Sequence, residues 1–424
     1  MNDLSFLDVS IIDFDKPRIC SSSYSHFNLS CCLHCGLFFS SGRESSPAYL
    51  HALSNDHEYF IDLTTGISSS VFTNKPVTSP YLDHLKQFLT FVPNHRYSTS
   101  LDSQSLDSLP YPTLFFDSVV KAKALDESVY IPGFVPLVSS NPFLFSSVCL
   151  LFCQIKPIRN VFFLYYSKIS NFDDSNLLHQ FAKLCVTLWN PFLIRPQISI
   201  DDCQSLFVKL IQSNGYSKSE IFNMSNPSQF LPLFISQILQ NAPHSISKTF
   251  NCVKGRIKKK NVIDDVAKSQ IFRFLTLTPP PLPLFKDVHK ENQLPKVALY
   301  DLLSIYNGQR ISIDDDQSRV VMTLDPVPKY LIISIDRFEN DVLGVKKNIT
   351  VLDFQLTCVD LSLMTSSDES CRFKTVFVIS HSNDRFICFV NINNNWFGLD
   401  KSVYPVTEDQ VLSSDCVLLF LERF

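Results

Sequence analysis

The chain is poor in glycine: nine residues of 424, set against 37 phenylalanines. An average composition of ~7% would give about 30. The nine fall at 36, 42, 66, 133, 215, 255, 308, 344 and 398, with no G-x-G pair and no G-x-x-x-x-G-K among them. Phosphate cradles depend on clustered glycines that let backbone N–H groups approach an anion, so Rossmann-type and P-loop chemistry are excluded. Charge is also sparse, at 18% against 45% hydrophobic residues. Such a chain can bury a large core and is not of the disordered class. The net charge of −4 and a pI near 6.2 give no overall field for nucleic acid, so any such affinity has to come from a local patch. The first residues, MNDLSFLDVSIIDFD, carry acids where a signal peptide carries cations, and secretion is not expected. The longest uncharged window, between Glu127 and Lys156, contains Pro132, Pro136, Asn141 and Pro142. Breakers at that density speak against a spanning helix and no membrane is expected; the window reads as a buried strand or loop followed by a buried helix.

What is present is cysteine, 13 in all. An odd count over a long chain without a secretory signal fits reduced thiols better than a disulfide framework. Eight of the 23 cysteines and histidines lie in the first 57 residues: Cys20, His26, Cys31, Cys32, His34, Cys35, His51 and His57. Cys32-Leu-His-Cys35 is a C-x-x-C pair followed by Gly36, a turn that aims two thiolates at one ion. Ser46 and Pro47 read as N-cap and first residue of a short helix carrying His51, with His57 just beyond. Cys32, Cys35, His51 and His57 would form a closed, tetrahedral, structural Zn²⁺ site with no position open for catalysis. The bland alternative is ordinary buried thiols and surface imidazoles. Cys20, His26, Cys31 and His34 are left over, and a second, weaker site using Cys20 stays open.

The length suggests two or three domains. Residues 1–75 hold the Cys/His cluster and run into a strand-like HEYFIDL. Ser79 and Pro80 open a short amphipathic helix through Leu82, Leu85, Phe88 and Leu89. The stretch 98–112 is rich in Ser, Asp and Pro and reads as a linker, so 76–127 is a helix plus linker. From 128 to 424 the chain reads as one mixed domain. Helices come first, including 228–239, and strands later, at 330–338, 348–356, 373–380, 385–392 and 416–424. That order predicts an α+β architecture rather than a doubly wound parallel sheet.

Together the segments resemble the ubiquitin-specific protease superfamily, and more closely its spliceosomal pseudo-enzyme branch, the tri-snRNP-associated ubiquitin-protease-like splicing factors. FDKPRICSSSYSH, CCLHCG and AYLH are similar to that family's zinc finger. YIPGFVPL at 130–137, KPIRNVFF at 156–163, FLTLTPPPLPLFKD at 274–287, the YNG of Tyr306–Gly308, PKYLIISIDRF at 328–338, VDLS at 359–362 and NNWFGLD at 394–400 follow in the family's order. The resemblance implies a papain-like protease fold behind a small zinc-finger α+β domain. It also implies a nuclear scaffold assisting tri-snRNP assembly or stability through protein contacts, with no small-molecule substrate. Related fingers hold a further zinc through a Cys and a His near Ser41 and Pro47, so one complete site is implied here.

An active member would carry G-L-x-N-L-G-N-T-C-Y-M-N, its Cys at a helix start that favours the thiolate. This chain has GFVPLVSSNPFLFSSVCLLF at 133–152, with Asn141 and Pro142 reading as N-cap and N1. The nucleophile position falls on Phe143 counted from KPIRN, or on Asn141 counted from Gly133. Neither can attack a carbonyl. Cys149 and Cys153, two and three turns inside the helix among apolar residues, read as core thiols. The base tripeptide G-H-Y corresponds to Asp384-Arg385-Phe386, and arginine cannot accept a proton. His381 reads as structural, with a displaced base as the alternative. The orienting acid survives as Asp400; without a base it reads as a capping or turn residue. The superfamily's Gln-Asp-x-x-Glu-Phe-Leu helix start is Asn226-Pro-Ser-Gln-Phe-Leu, without its acids, and no C-x-x-C pair lies between 250 and 300.

Lys254, Arg256, Lys258, Lys259 and Lys260 form a basic cluster. It reads as a solvated loop, with RNA-backbone contact as the second reading. The phenylalanines read mainly as core. Three functions follow: a non-catalytic scaffold; a thiol isopeptidase using a displaced Cys149 or Cys153 with His381; and a ubiquitin-binding module acting through the finger.

Overall fold

The computed structural model describes residues 7, 11–14, 18–42, 44–90, 121–141, 143–169, 172–263, 267–281, 295–313, 318–341, 344–365 and 370–424. The expected linker at 98–112 and Pro142 lie outside the described residues. The helices discussed below are, in chain order, α1 (Pro47–Asn55), α2 (Pro80–Thr90), α3 (Leu144–Gln154), α4 (Lys156–Lys168), α5 (Leu177–Leu188), α6 (Asp201–Ser213), α7 (Lys218–Phe222) and α8 (Pro227–Leu239). No single one is long and apolar enough to cross a membrane. The described residues divide into two compact units. One is the N-terminal stretch with residues up to Val135 and Phe163–Ser199; the other is Pro136–Phe162 with Ile200–Phe424.

In the first unit, β1 (Leu29–Cys32), β2 (Phe38–Ser40), β3 (Tyr59–Asp62) and β4 (Ser68–Ser70) make an antiparallel sheet of order β2-β1-β3-β4. Ala48 and Ala52, at i and i+4, form the buried face of α1, and their small side chains let the helix approach the sheet closely. The Ser79 hydroxyl accepts the Leu82 N–H at 3.2 Å, capping α2 as expected. Leu82 and Leu85 sit in the same buried cluster as Cys31, Leu33, Phe60 and Ile61. The compact unit therefore runs past residue 75, because the apolar stripe of α2 is part of the finger's core.

In the second unit, the helical part is an aromatic core. Phe145 on α3, Phe207 on α6, and Phe230 and Phe234 on α8 are fully buried, with ring centroids 5.0–6.5 Å apart. At these separations offset and edge-to-face pairs add to the burial term. The strands are β5 (Gly255–Asn261), β6 (Ala267–Phe272), β7 (Leu275–Leu277), β8 (Ser312–Ile313), β9 (Arg319–Leu324), β10 (Tyr330–Ile335), β11 (Arg372–Ser382), β12 (Arg385–Ile392), β13 (Asn395–Leu399), β14 (Val403–Val406) and β15 (Cys416–Arg423). The large sheet runs β7-β10-β15-β11-β12-β13-β14, parallel only between β7 and β10. Every residue of β10 is buried, as expected of a strand covered on both faces. A smaller antiparallel sheet has the order β6-β5-β9-β8. This is the α+β layout expected from the order of elements.

One expectation is corrected. Most of the basic segment is not a loop: Arg256, Lys258, Lys259 and Lys260 lie on β5, paired to β6 on one side and β9 on the other. Two-sided pairing overrides the weak strand preference of lysine. Gly255 makes the pairing possible, because a Cβ there would stand 2.5 Å from the Phe272 ring.

Arg337, just beyond β10, is 0% exposed. Its Nε donates to the Cys416 carbonyl at 2.5 Å, and one terminal nitrogen donates to the carbonyls of Asn348 and Thr350. Asn226 completes the joint: its Oδ1 accepts the N–H groups of Arg337 and Phe338 at 3.1 Å, and its Nδ2 donates to the Phe338 carbonyl at 2.7 Å. The eroded helix-start box thus ties α8 to the end of β10. Arg337→Met should lower stability by about 3 kcal/mol or more, because three buried carbonyls lose a charged donor. The expected readout is a lower urea midpoint at unchanged slope.

Candidate metal centre and candidate active site

The turn after β1 is closed by the Gly36 N–H on the Cys32 carbonyl and the Cys32 N–H on the Leu37 carbonyl, both at 2.9 Å. Gly36 has φ +67°, and a Cβ there would stand 2.2 Å from the Ile11 carbonyl oxygen, so only glycine fits. Ser46 caps α1 by accepting the Tyr49 N–H at 3.4 Å, and the helix ends at Asp56 in the left-handed region. These two ends bring His51 and His57 onto the turn. The donor atoms of Cys32, Cys35, His51 and His57 all lie within 4.8 Å of one another. His51 Nε2 is 3.4 Å from Cys35 Sγ and 3.1 Å from His57 Nδ1. The Asn55 amide meets His51 Nδ1 at 3.2 Å and orients the ring from its far nitrogen, while Phe39 stacks on it with centroids 4.1 Å apart. Asn55 and Phe39 were not singled out from sequence, although Asn55 stands at i+4 from His51, where a helical partner belongs. The hydrogen bond between the two thiols holds Cys35 well below its ordinary value, helped by the Leu37 N–H and the two imidazoles against burial. The same bond, with burial, pushes Cys32 up.

The four leftover residues take other places. Cys20 is fully buried and accepts the Ser40 N–H at 3.3 Å. Cys31 is buried with its thiol on the Cys32 carbonyl. His34 stacks on His57 at 4.8 Å, and His26 meets the Arg18 carbonyl. Among the described residues, the one group of three or more such donors that comes together is Cys32, Cys35, His51 and His57.

At the start of α3 the N-cap is Phe143, in extended conformation and without a side-chain cap. The expectation that Asn141 caps this helix is corrected. The Asn141 carbonyl accepts Gln204 Nε2 at 2.9 Å, and Asp201 Oδ1 accepts the Ser140 N–H at 2.8 Å. α6 thus anchors this loop ahead of the helix. The Phe143 ring is 5% exposed and packs on Phe222, Phe145 and Phe230 at 4.8–5.9 Å. Cys149 and Cys153 are 0% exposed, and burial, with Cys203 nearby, pushes the Cys149 thiol well above its ordinary value. A thiol held so carries no thiolate at neutral pH, and Cys149 is no nucleophile.

The strands β11 and β12 are joined through Asn383 and Asp384, both at positive φ, a turn chemistry these residues tolerate. Arg385 opens β12, its guanidinium 3.8 Å from the Asp400 carboxylate. Asp400 therefore has a partner and is more than a turn residue; the pair is half-exposed and contributes about 0–1 kcal/mol. His381 is buried, with Phe338 and Phe386 edge-on at 4.9 and 5.0 Å. Its carbonyl accepts Lys347 Nζ, which also bridges Asp415. Burial, with Lys347 close by, holds the imidazole below its ordinary value against Asp384 and Asp415.

The family model described as ubiquitin carboxyl-terminal hydrolase matches residues 143–421. A second, described as a Zn-finger in ubiquitin-hydrolases and other proteins, matches residues 20–80. The chain is 25% identical to Probable mRNA-splicing protein ubp10 of Schizosaccharomyces pombe, over 99% of this chain and 88% of that one. It is 27% identical to Pre-mRNA-splicing factor SAD1 of Saccharomyces cerevisiae, over 81% and 73%. With human ubiquitin carboxyl-terminal hydrolase 39 it shares 26% identity over 84% of its own length and 66% of the relative's. A crystal structure of an essential yeast splicing factor superposes with a TM-score of 0.73 at 20% identity, covering 99% of both chains. At that identity the likeness is one of fold.

Thiol alkylation followed by peptide mass mapping tests the buried helix. Cys149 and Cys153 should stay unmodified in the folded chain while the partly exposed Cys358 reacts, and all should react in denaturant.

Proposed function

The chain belongs to the ubiquitin carboxyl-terminal hydrolase family, and on that premise we propose that it is a non-catalytic scaffold of the pre-mRNA splicing machinery. In this reading it is nuclear and assists assembly or stability of the tri-snRNP through protein contacts. The observation that carries the reading is collinearity: two relatives named as splicing proteins align along 99% and 81% of this chain.

Loss of catalysis is supported by the chemistry at the expected positions. A cysteine protease needs an exposed thiolate at a helix start, a neutral imidazole to take its proton, and an acid to orient that imidazole. Here the corresponding positions hold Phe143 inside an aromatic cluster, and Arg385 ion-paired to Asp400. An isopeptidase using Cys149 or Cys153 with His381 would need a thiol that substrate can reach, and both are sealed in the core.

Cys32, Cys35, His51 and His57 would hold one structural Zn²⁺. A tetrahedral zinc with donors at ~2.0–2.3 Å sets its ligand atoms roughly 3.3–3.8 Å apart. The 3.4 Å separation between His51 and Cys35 falls in that range, and the 3.1 Å between His51 and His57 lies just short of it. Four protein ligands close the ion's coordination, so it would link the β1 turn to α1 and offer no site for a reactant. The family modules in this reading are the finger at 1–75, its core completed by α2 from the segment at 76–127, and the protease-like domain at 128–424. Contact of Lys254–Lys260 with RNA backbone is the lesser reading of this cluster, because Arg256, Lys258 and Lys260 have, among the described residues, no aromatic side chain beside them on their face of the sheet.

A ubiquitin suicide probe should leave the chain unlabelled; covalent labelling lost in Cys149→Ser or Cys153→Ser would overturn the scaffold reading. Purified protein should carry about one zinc per chain, lost in Cys35→Ser, and near-zero metal in the parent would refute the site. Particles isolated through the intact chain should contain small nuclear RNAs, and their absence would count against the splicing assignment.

A further inference from the structure

We propose that the free edge of β6 receives an extended peptide from a partner protein, one in which acidic and apolar residues alternate. β6 ends its sheet, with β5 as its one strand partner among the described residues. A terminal strand offers a row of backbone donors and acceptors to a further strand. Five of the six residues of β6 are exposed.

The two faces beside this edge differ in chemistry. On one, Arg256, Lys258 and Lys260 stand at alternate, exposed positions of β5, about 6.6 Å apart along the strand. Asp325 bonds Lys258 there. The β6 residues opposite Lys258 and Lys260 are Ser269 and Ala267. Their short side chains leave this face of β6 uncovered towards a strand about 4.8 Å beyond it. The Lys258 ammonium turns to Asp325 on the β9 side, so an added strand on this face meets the positive field of Arg256 and Lys260.

On the other face the edge borders a groove of about 510 Å³ against α8, walled by Ile235, Leu239, Ile257, Phe272 and Tyr306. Arg273 also lines this groove, and its buried Nε has no hydrogen-bond partner among the described residues. Side chains directed here are apolar, with one carboxylate placed to reach Arg273. Because strand side chains alternate between faces, the two demands fall on alternate residues of the ligand.

Nucleic acid is the other polyanion this edge could attract. The uncharged side chains on the cationic face are Ala267, Ser269, Ile271, Val321 and Thr323, and none of these can stack on a base. The charge and the apolar groove together favour a peptide. The inference stands on this one sheet edge and does not require the splicing assignment.

The test is fluorescence anisotropy of the full chain with a short labelled peptide of alternating Glu and Val. Controls are the same residues in two blocks, a Lys-for-Glu version, and the alternating peptide with N-methylated amides, which keeps its side chains but cannot pair as a strand. The alternating peptide should bind roughly tenfold or more tightly than each control, and Arg273→Glu and Arg256→Glu should each weaken it roughly tenfold. Equal binding of the block or N-methylated peptide overturns the proposal. So does undiminished binding in both variants. Saturable binding of oligouridylate or free ubiquitin with the same dependence on Arg256 and Arg273, where the peptide fails, overturns it in favour of that occupant.

Discussion

The larger unit hangs on a buried cation. Arg337 has no exposed surface and, among the described residues, no carboxylate within salt-bridge distance; it is held by three backbone carbonyls from two separate parts of the chain. A guanidinium in that setting is tolerated only where enough oxygens replace its water. The start of β15, the segment at 348–350 and the end of β10 must therefore meet at one point. Asn226 brings α8 to the same point through three hydrogen bonds to Arg337 and Phe338. The placement of α8, and so the wall it gives the groove beside β6, follows from this joint.

The proposed loss of chemistry and the packing of the helical core are two sides of one substitution. A nucleophile at a helix start has to remain open to substrate, which leaves that helix end poorly packed. Phe143 instead joins a buried ring cluster with Phe145, Phe222 and Phe230. Likewise a base needs a free lone pair, whereas Arg385 offers a permanent charge to Asp400. Phe143 is thus given to burial and Arg385 to pairing, where the proposed reading asks for neither an open thiol nor a free base.

Much of the candidate metal centre was legible because its logic is local. A C-x-x-C turn, a glycine after it and a capped helix bearing His51 are each set by neighbouring residues, and the four donors converge as read. The orienting contacts of Asn55 and Phe39 were not legible, since they depend on how α1 lies against the sheet. The helix start at Phe143 was misread by two residues for the same reason. Asn141 is a good cap by type, but Gln204, 63 positions away, claims its carbonyl. The basic run was misread because lysine's local preference is weak and the pairing partners of β5 lie elsewhere in the chain.

By itself the sequence determined the order of helices and strands, the four-donor cluster and the family framework. Periodicity, capping and spacing act over a few residues and leave their record in the chain. Tertiary structure alone decided that Arg337 is the buried joint, that Asp400 pairs with Arg385, and that the cations of β5 flank an open strand edge. Each of those depends on groups distant in sequence sharing one low-dielectric or sterically closed place, and no local pattern encodes which distant groups will meet.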